Sequence, residues 1–93
     1  YSNEVPVNYM LYNNFPNPFN PSTKIRFDIT ERTNVKIIIY SAVGKEITVL
    51  VNSQLAAGKY ETSFTALNLS SGIYFYRLVT DNYSDTKKMI LMR

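Results

Sequence analysis

The sequence predicts an all-β fold, an antiparallel sandwich of about seven strands, on three observations. Apolar and polar residues alternate over short runs; these runs recur at close, regular spacing between clusters of turn residues; and no helical 3.6-residue period is sustained anywhere. Such a pattern buries one face of each strand and wets the other, which two stacked antiparallel sheets satisfy in the immunoglobulin-like manner.

A short first strand is expected near Val7 to Tyr12. The stretch NNFPNPFNPST, residues 13–23, follows, with three prolines set among asparagines around Phe15 and Phe19. X-Pro units force an extended or turning backbone, so this segment is read as the ordered opening turn of the sandwich: it closes one edge while Phe15 or Phe19 plugs an open end. In KIRFDI, Ile25, Phe27 and Ile29 alternate with charges, a half-buried strand. Thr30 to Asn34 reads as a turn. VKIIIY then sets Val35, Ile37 and Ile39 on one face and Ile38 and Tyr40 on the other, a central strand covered on both sides.

Gly44 lies between two β-branched runs and marks a hairpin, because a positive φ comes most easily from glycine. Its partner strand, Glu46 to Val51, sets Ile47, Val49 and Val51 on one face, and NSQLAAGK reads as a longer connection ending at Gly58. Tyr60 to Ala66 alternates again. LNLSSG breaks the chain before IYFYRLVT, a last hairpin turns at Asp81-Asn82, and TKKMILMR is expected to be a terminal strand reaching the last residue.

Composition excludes several function classes. With 93 residues, 45% of them apolar, there is material for one core and little for a deep catalytic cleft besides. The absence of Cys removes disulfides and thiolate metal sites, and the absence of His removes the commonest neutral-pH acid–base group. No catalytic, cofactor or metal site is expected. The net charge of +3 comes from ten scattered basic residues whose only adjacent pair is Lys87-Lys88, so no phosphate footprint or nucleic-acid partner is expected. Apolar runs fall far short of a bilayer-spanning length. A chain that starts at Tyr1 without an export leader is read as a piece of a longer protein, with residues 1–12 a linker end plus the short first strand and 13–93 the sandwich domain.

Five stretches in order carry a family resemblance: NNFPNPFNPSTKIRFDI (13–29), VKIIIYSAVGKEITVLV (35–51), AAGKYETSF (56–64), LSSGIYFYRL (69–78) and KKMILMR (87–93). Together they resemble the C-terminal sorting domain of the bacterial type IX secretion system, which is similar to immunoglobulin-like flagellar hook-capping modules. The Asn-Pro-Phe-Asn-Pro turn matches Asn17, Pro18, Phe19, Asn20 and Pro21, preceded by Pro16. The turn glycines match Gly44, Gly58 and Gly72, the Gly-x-Tyr strand opening Gly72 and Tyr74, and the closing run Lys88, Met89, Leu91 and Arg93. Phe15 stands where the family often has Tyr.

The resemblance implies an address label rather than an enzyme: a module carried across the outer membrane by the type IX machinery, fused to an N-terminal cargo, often removed by a sortase-like protease, and bound for the cell surface or exterior. Two other readings compete. One is a sugar- or surface-binding module of an exported enzyme, which would need Tyr74 and Tyr76 to face outward as an aromatic stripe; the other is a structural assembly domain of the hook-capping kind.

Within the sorting reading, the expected recognition element is the terminal strand. Lys87, Lys88 and Arg93 place positive charge around a short apolar run containing Met89 and Leu91, so that a receptor reads edge, charge and terminal carboxylate together. The competing reading is an edge strand guarded by lysines. Tyr74 is expected to form a tyrosine-corner hydrogen bond to the loop before it. Asp81, Asn82 and Asp85 offer oxygen atoms but lack the glycine and closing Glu of a Ca²⁺ loop, so a solvated turn is expected. Glu4, Asp28, Glu31, Glu46 and Glu61 show no pairing in sequence.

Overall fold

The computed structural model describes residues 5–93. Among these, seven strands form two antiparallel sheets: β1 (Met10–Leu11), β2 (Ser22–Ile29), β3 (Thr33–Ser41), β4 (Glu46–Leu55), β5 (Gly58–Thr65), β6 (Gly72–Val79) and β7 (Ser84–Leu91). The sheet orders are β1-β2-β5 and β4-β3-β6-β7. This is the expected all-β sandwich.

The alternating pattern determines which side chains meet. Ile25, Phe27 and Ile29 from β2 face Val35, Ile37 and Ile39 from β3, all essentially inaccessible, and Leu11, Phe19, Phe64, Ala66, Tyr74, Tyr76, Leu78, Met89 and Leu91 complete the core. Burying a side chain of this size stabilises by roughly 1.5–3 kcal/mol. The tyrosines of β6 therefore face inward, and the outward aromatic stripe that sugar binding would need from Tyr74 and Tyr76 does not exist. As expected, β3 is central, lying between β4 and β6. On its outer face Ile38 is buried while Tyr40 is partly exposed.

Several boundaries differ from the sequence reading. The first strand shrinks to Met10–Leu11, β3 begins already at Thr33, and β5 spans Gly58–Thr65. The expected long connection from residue 52 to Gly58 is strand as far as Leu55, because Asn52, Ser53 and Gln54 pair with Lys36, Val35 and Asn34. Polar side chains are at no disadvantage there: β4 is an edge strand and holds them in water. The ladder is also irregular between Val51 and Val49 and between Thr48 and Glu46. These bulges break the period-two alternation. Ile47, Leu50 and Val51 pack on the core while Val49 is exposed, so Val49 does not share the face of Ile47 and Val51.

The terminal strand ends at Leu91 rather than at the last residue. Met92 and Arg93 leave it to bond elsewhere. Of the three glycines, Gly44 (φ 86°) and Gly72 (φ 154°) occupy conformations that disfavour a Cβ. Gly58 does not; an added methyl there would make ordinary contact, 3.5 Å from the Tyr60 ring.

Candidate functional site

The proline segment and the terminal strand, far apart in sequence, form one unit at one end of the sandwich. Phe19 is 1% exposed and bridges Leu91 in parallel: its N–H donates to the Ile90 carbonyl at 2.9 Å, and its own carbonyl accepts from Met92 N–H at 3.0 Å. Asn17 Oδ1 accepts the Ile90 N–H at 3.0 Å. Pro21 carries the same strap to β5, its carbonyl accepting from Ala66 N–H at 2.9 Å. The expected plug is thus Phe19. Phe15 points the other way and is 79% exposed.

A buried polar cluster fixes the start of the segment. Tyr76, fully buried on β6, donates through its hydroxyl to the Tyr12 carbonyl at 2.7 Å and accepts the Asn14 N–H at 2.8 Å. Asn14 Nδ2 donates to Thr23 Oγ1 at 3.0 Å and to the Pro16 carbonyl at 3.2 Å, and Thr23 Oγ1 donates to the same carbonyl at 2.9 Å. A buried hydroxyl stripped of water needs such partners. Burial pushes the Tyr76 phenol up to about 12. Neither Asn14 nor Tyr76 was singled out for this role from sequence, since their partners lie 62 and 64 residues away.

The residue beyond this end of the terminal strand is fastened as well. Arg93 Nε donates to the Leu69 carbonyl at 2.7 Å, its Nη2 donates to the Ala66 carbonyl, and its N–H donates to Ser71 Oγ at 2.9 Å. The guanidinium thus satisfies carbonyls of the loop before β6, in the planar fork geometry that arginine supplies. The neighbouring Tyr74 hydroxyl donates to the Ser70 carbonyl at 2.7 Å, the expected corner. Tyr60 makes the same four-residue return to the Ala56 carbonyl at 2.6 Å.

The residues expected to carry recognition divide accordingly. Met89 and Leu91 are in the core, 0% and 1% exposed. Lys87 is half-buried, Lys88 is exposed, and the Arg93 guanidinium is turned onto its own loop. In the proline segment, Pro18 and Asn20 stand exposed, whereas Asn17, Phe19 and Pro21 are bonded to β7 and β5.

On the outer face of the three-stranded sheet, Glu61 pairs with Arg26 at 3.0 Å and Lys24 at 3.6 Å, and the Arg26 hydrogen bond holds the Glu61 carboxyl below the ordinary carboxylate range. Asp28 accepts the Tyr12 hydroxyl at 2.6 Å. Two of the carboxylates unpaired in sequence thus have structural partners; Glu4 lies outside the described residues. At the β6–β7 turn, Asp81 N–H donates to Thr33 Oγ1 and Asp85 Oδ1 accepts Thr86 N–H. No group of three or more His, Cys, Asp or Glu among the described residues is placed to hold a metal. No helix there is long and apolar enough to cross a membrane.

The fold is thus a small two-sheet β-sandwich in which the proline segment and the terminal strand, far apart in sequence, lock each other. A family model described as a secretion system C-terminal sorting domain matches residues 13–92. The chain belongs to this family, the C-terminal sorting domains of type IX secretion. It is the sorting signal that directs a larger protein, fused on its N-terminal side, to the cell surface or exterior. No curated protein and no solved structure matches.

Proposed function

We propose that the export machinery reads this module as a folded body, that its terminal strand is part of what is read, and that the module carries no catalytic activity of its own. The family match from the proline segment to Met92 is the observation that carries the reading. Lys87 and Lys88 then supply surface charge, while Met89 and Leu91 act by anchoring the strand and Arg93 by fastening its end. A sortase-like protease would cut in the linker preceding Asn13. The geometry suits that order of events. Tyr9 stacks on Tyr83 (centroids 5.1 Å apart) at the end of the sandwich opposite Phe19 and Leu91, so the tether and the strapped terminus lie at different poles.

The test is a fusion of residues 1–93 to a periplasmic reporter in a type IX-competent host. Export of the reporter to the medium or surface is expected, and a reporter that stays periplasmic overturns the reading. A Lys87→Glu/Lys88→Glu double variant, which leaves the core untouched, is expected to reduce export; unchanged export would remove those lysines from the recognised surface.

A further inference from the structure

The outer faces of the two sheets differ in kind. On the three-stranded sheet Lys24 lies beside Ser63 and Arg26 beside Glu61, a polar face of the sort an antiparallel sheet turns to water. The four-stranded sheet departs from this. Its register sets Tyr40 beside Phe75, Ile73 beside Ile90, and Ile38 between Val49 and Arg77. Along β3, β6 and β7 these residues alternate with the core side chains Ile37, Ile39, Tyr74, Tyr76, Met89 and Leu91, so they point away from the core. Ile38 is buried without belonging to the core, Ile73 is 44% exposed, and Tyr40, Phe75 and Ile90 are half-buried. The pattern VKIIIY predicts cover on both sides of β3. Among the described residues no strand or helix supplies the second cover, since the other sheet packs on the opposite side. A contiguous apolar face, unlike single exposed residues scattered over a surface, marks an interaction site.

Charge specifies the occupant. Lys36, Arg77 and Lys88 stand on the same face, beside Val79, Ile38 and Phe75 in the register. None of the three takes part in an ion pair among the described residues, for the Glu61 pairs lie on the other sheet, and Arg77 has only a long hydrogen bond to Ser84 Oγ at 3.4 Å. The acids at the margins, Glu46 opposite Tyr40 and Asp81 in the groove beside Lys36, do not pair with them either. We propose that this face docks a protein component of the export machinery: an apolar strip of the partner lies on Ile73, Phe75 and Tyr40, and its carboxylates pair with Lys36, Arg77 and Lys88. An apolar and aromatic centre ringed by charge that the partner complements is the usual build of a specific interface. A second copy of this chain is the wrong occupant, because two such faces would set three cations against three. A neutral sugar would leave the cations unpaired, and an anionic lipid surface is read by a larger basic cluster. The inference rests on the sorting reading and names a surface for it, to which the terminal strand contributes Lys88 and Ile90.

The experiment uses the same reporter fusion with changes on β3 and β6, away from the terminal strand. Lys36→Glu/Arg77→Glu reverses two exposed charges; it is expected to melt within about 5 °C of the wild type and to cut export about tenfold or more. Lys36→Arg/Arg77→Lys, which keeps the charges, is expected to be exported normally. Ile73→Thr keeps the β-branched shape that strands favour and is expected to cut export about threefold. Ser63→Glu adds an acid to the outer face of the other sheet and is expected to leave export unchanged. If the wild-type fusion is not exported, the sorting reading fails; if it is exported and Lys36→Glu/Arg77→Glu is exported equally well, the docking face alone fails. An equal loss from Ser63→Glu, or a melting point of the charge-reversed variant lowered by more than about 10 °C, overturns the proposal too, since net charge or folding would then explain the loss. Benzoylphenylalanine at position 73, photolysed during export, is expected to crosslink a peptide of the export machinery that carries Asp or Glu. A crosslink to glycan, to lipid or to a second copy of the chain alone, or to a peptide without acids, overturns it.

Discussion

The four-stranded sheet has two outer edges, and they are protected by different means. Along β7, Asp85 Oδ1 takes the Thr86 amide, Asn17 Oδ1 takes that of Ile90, and the Phe19 carbonyl takes that of Met92, with Lys87 and Lys88 between. Along β4, charge is confined to Glu46 at one end, and two ladder irregularities do the work instead, bending the strand away from a flat, pairable geometry. The β4 defence is local and costs the rest of the fold nothing. Apart from Asp85, the β7 defence is borrowed from residues about seventy positions away, which makes the proline segment part of the folded body and couples it to the terminal strand.

The largest test of that coupling is Phe19→Ala. It removes a fully buried ring and loosens the contact with Leu91, so a loss of about 3–5 kcal/mol is expected. For a domain of this size that is a large part of total stability. Urea unfolding followed by circular dichroism checks it. A cost below about 1 kcal/mol would mean that β7 does not depend on the segment.

Tyr76→Phe comes next, since it keeps the ring and deletes the hydroxyl that holds Tyr12 and Asn14. Leaving the buried Asn14 amide unpaired should cost about 1–3 kcal/mol. The same hydroxyl sets an alkaline limit. Burial raises its folded pKa to about 12 from an ordinary value near 10, so its contribution is fully present below pH 10 and is lost as the pH climbs from about 10 to about 12, where the unfolded chain ionises first. The variant should therefore lose stability less steeply across that window. Tyr83, whose phenol is pushed up by burial and then by Asp85, keeps part of the slope. An unchanged slope would exclude Tyr76 as a cause.

These interactions mark where the sequence stopped being legible. Ile25, Phe27 and Ile29 against Val35, Ile37 and Ile39 could be read from alternation alone, because strand burial has a period of two. The Tyr74 corner was legible for a similar reason, its partner lying four residues back. Phe15 and Phe19 were not distinguishable: each is aromatic, beside proline and asparagine, and only pairing with Leu91 buries one of them. In the apolar run Ile47 to Val51 any register looks satisfactory, so the bulges that expose Val49 leave no signal. Arg93 read as a free terminal charge because its acceptors, backbone carbonyls of a loop, carry no side-chain signature.

Arg93 also separates two meanings of a basic terminus. If it is a fastener, Arg93→Lys should lose much of its effect along with Arg93→Ala, since an ammonium cannot reproduce the fork to Leu69 and Ala66. Roughly 1–2 kcal/mol of stability is expected to go in both, with faster amide exchange at Met92. Full recovery of stability by Lys would show that charge near the loop, rather than the fork, is what counts.

The smallest effects bear most directly on the two edges. Asn17→Ala strips one acceptor from β7 and should cost about 0.5–1.5 kcal/mol, read as lost exchange protection at the Ile90 amide. Val49→Lys places a charge on β4 at a side chain that is 38% exposed and lies outside the core, and should change stability by less than about 0.5 kcal/mol. If the bulges alone keep β4 unpaired, the lysine also leaves the aggregation rate at high concentration unchanged. A clear fall in that rate, measured by light scattering, would show that the bent edge still pairs in the wild type. The two defences would then differ in strength as well as in origin, with β7 the better sealed because it borrows its cover from the proline segment.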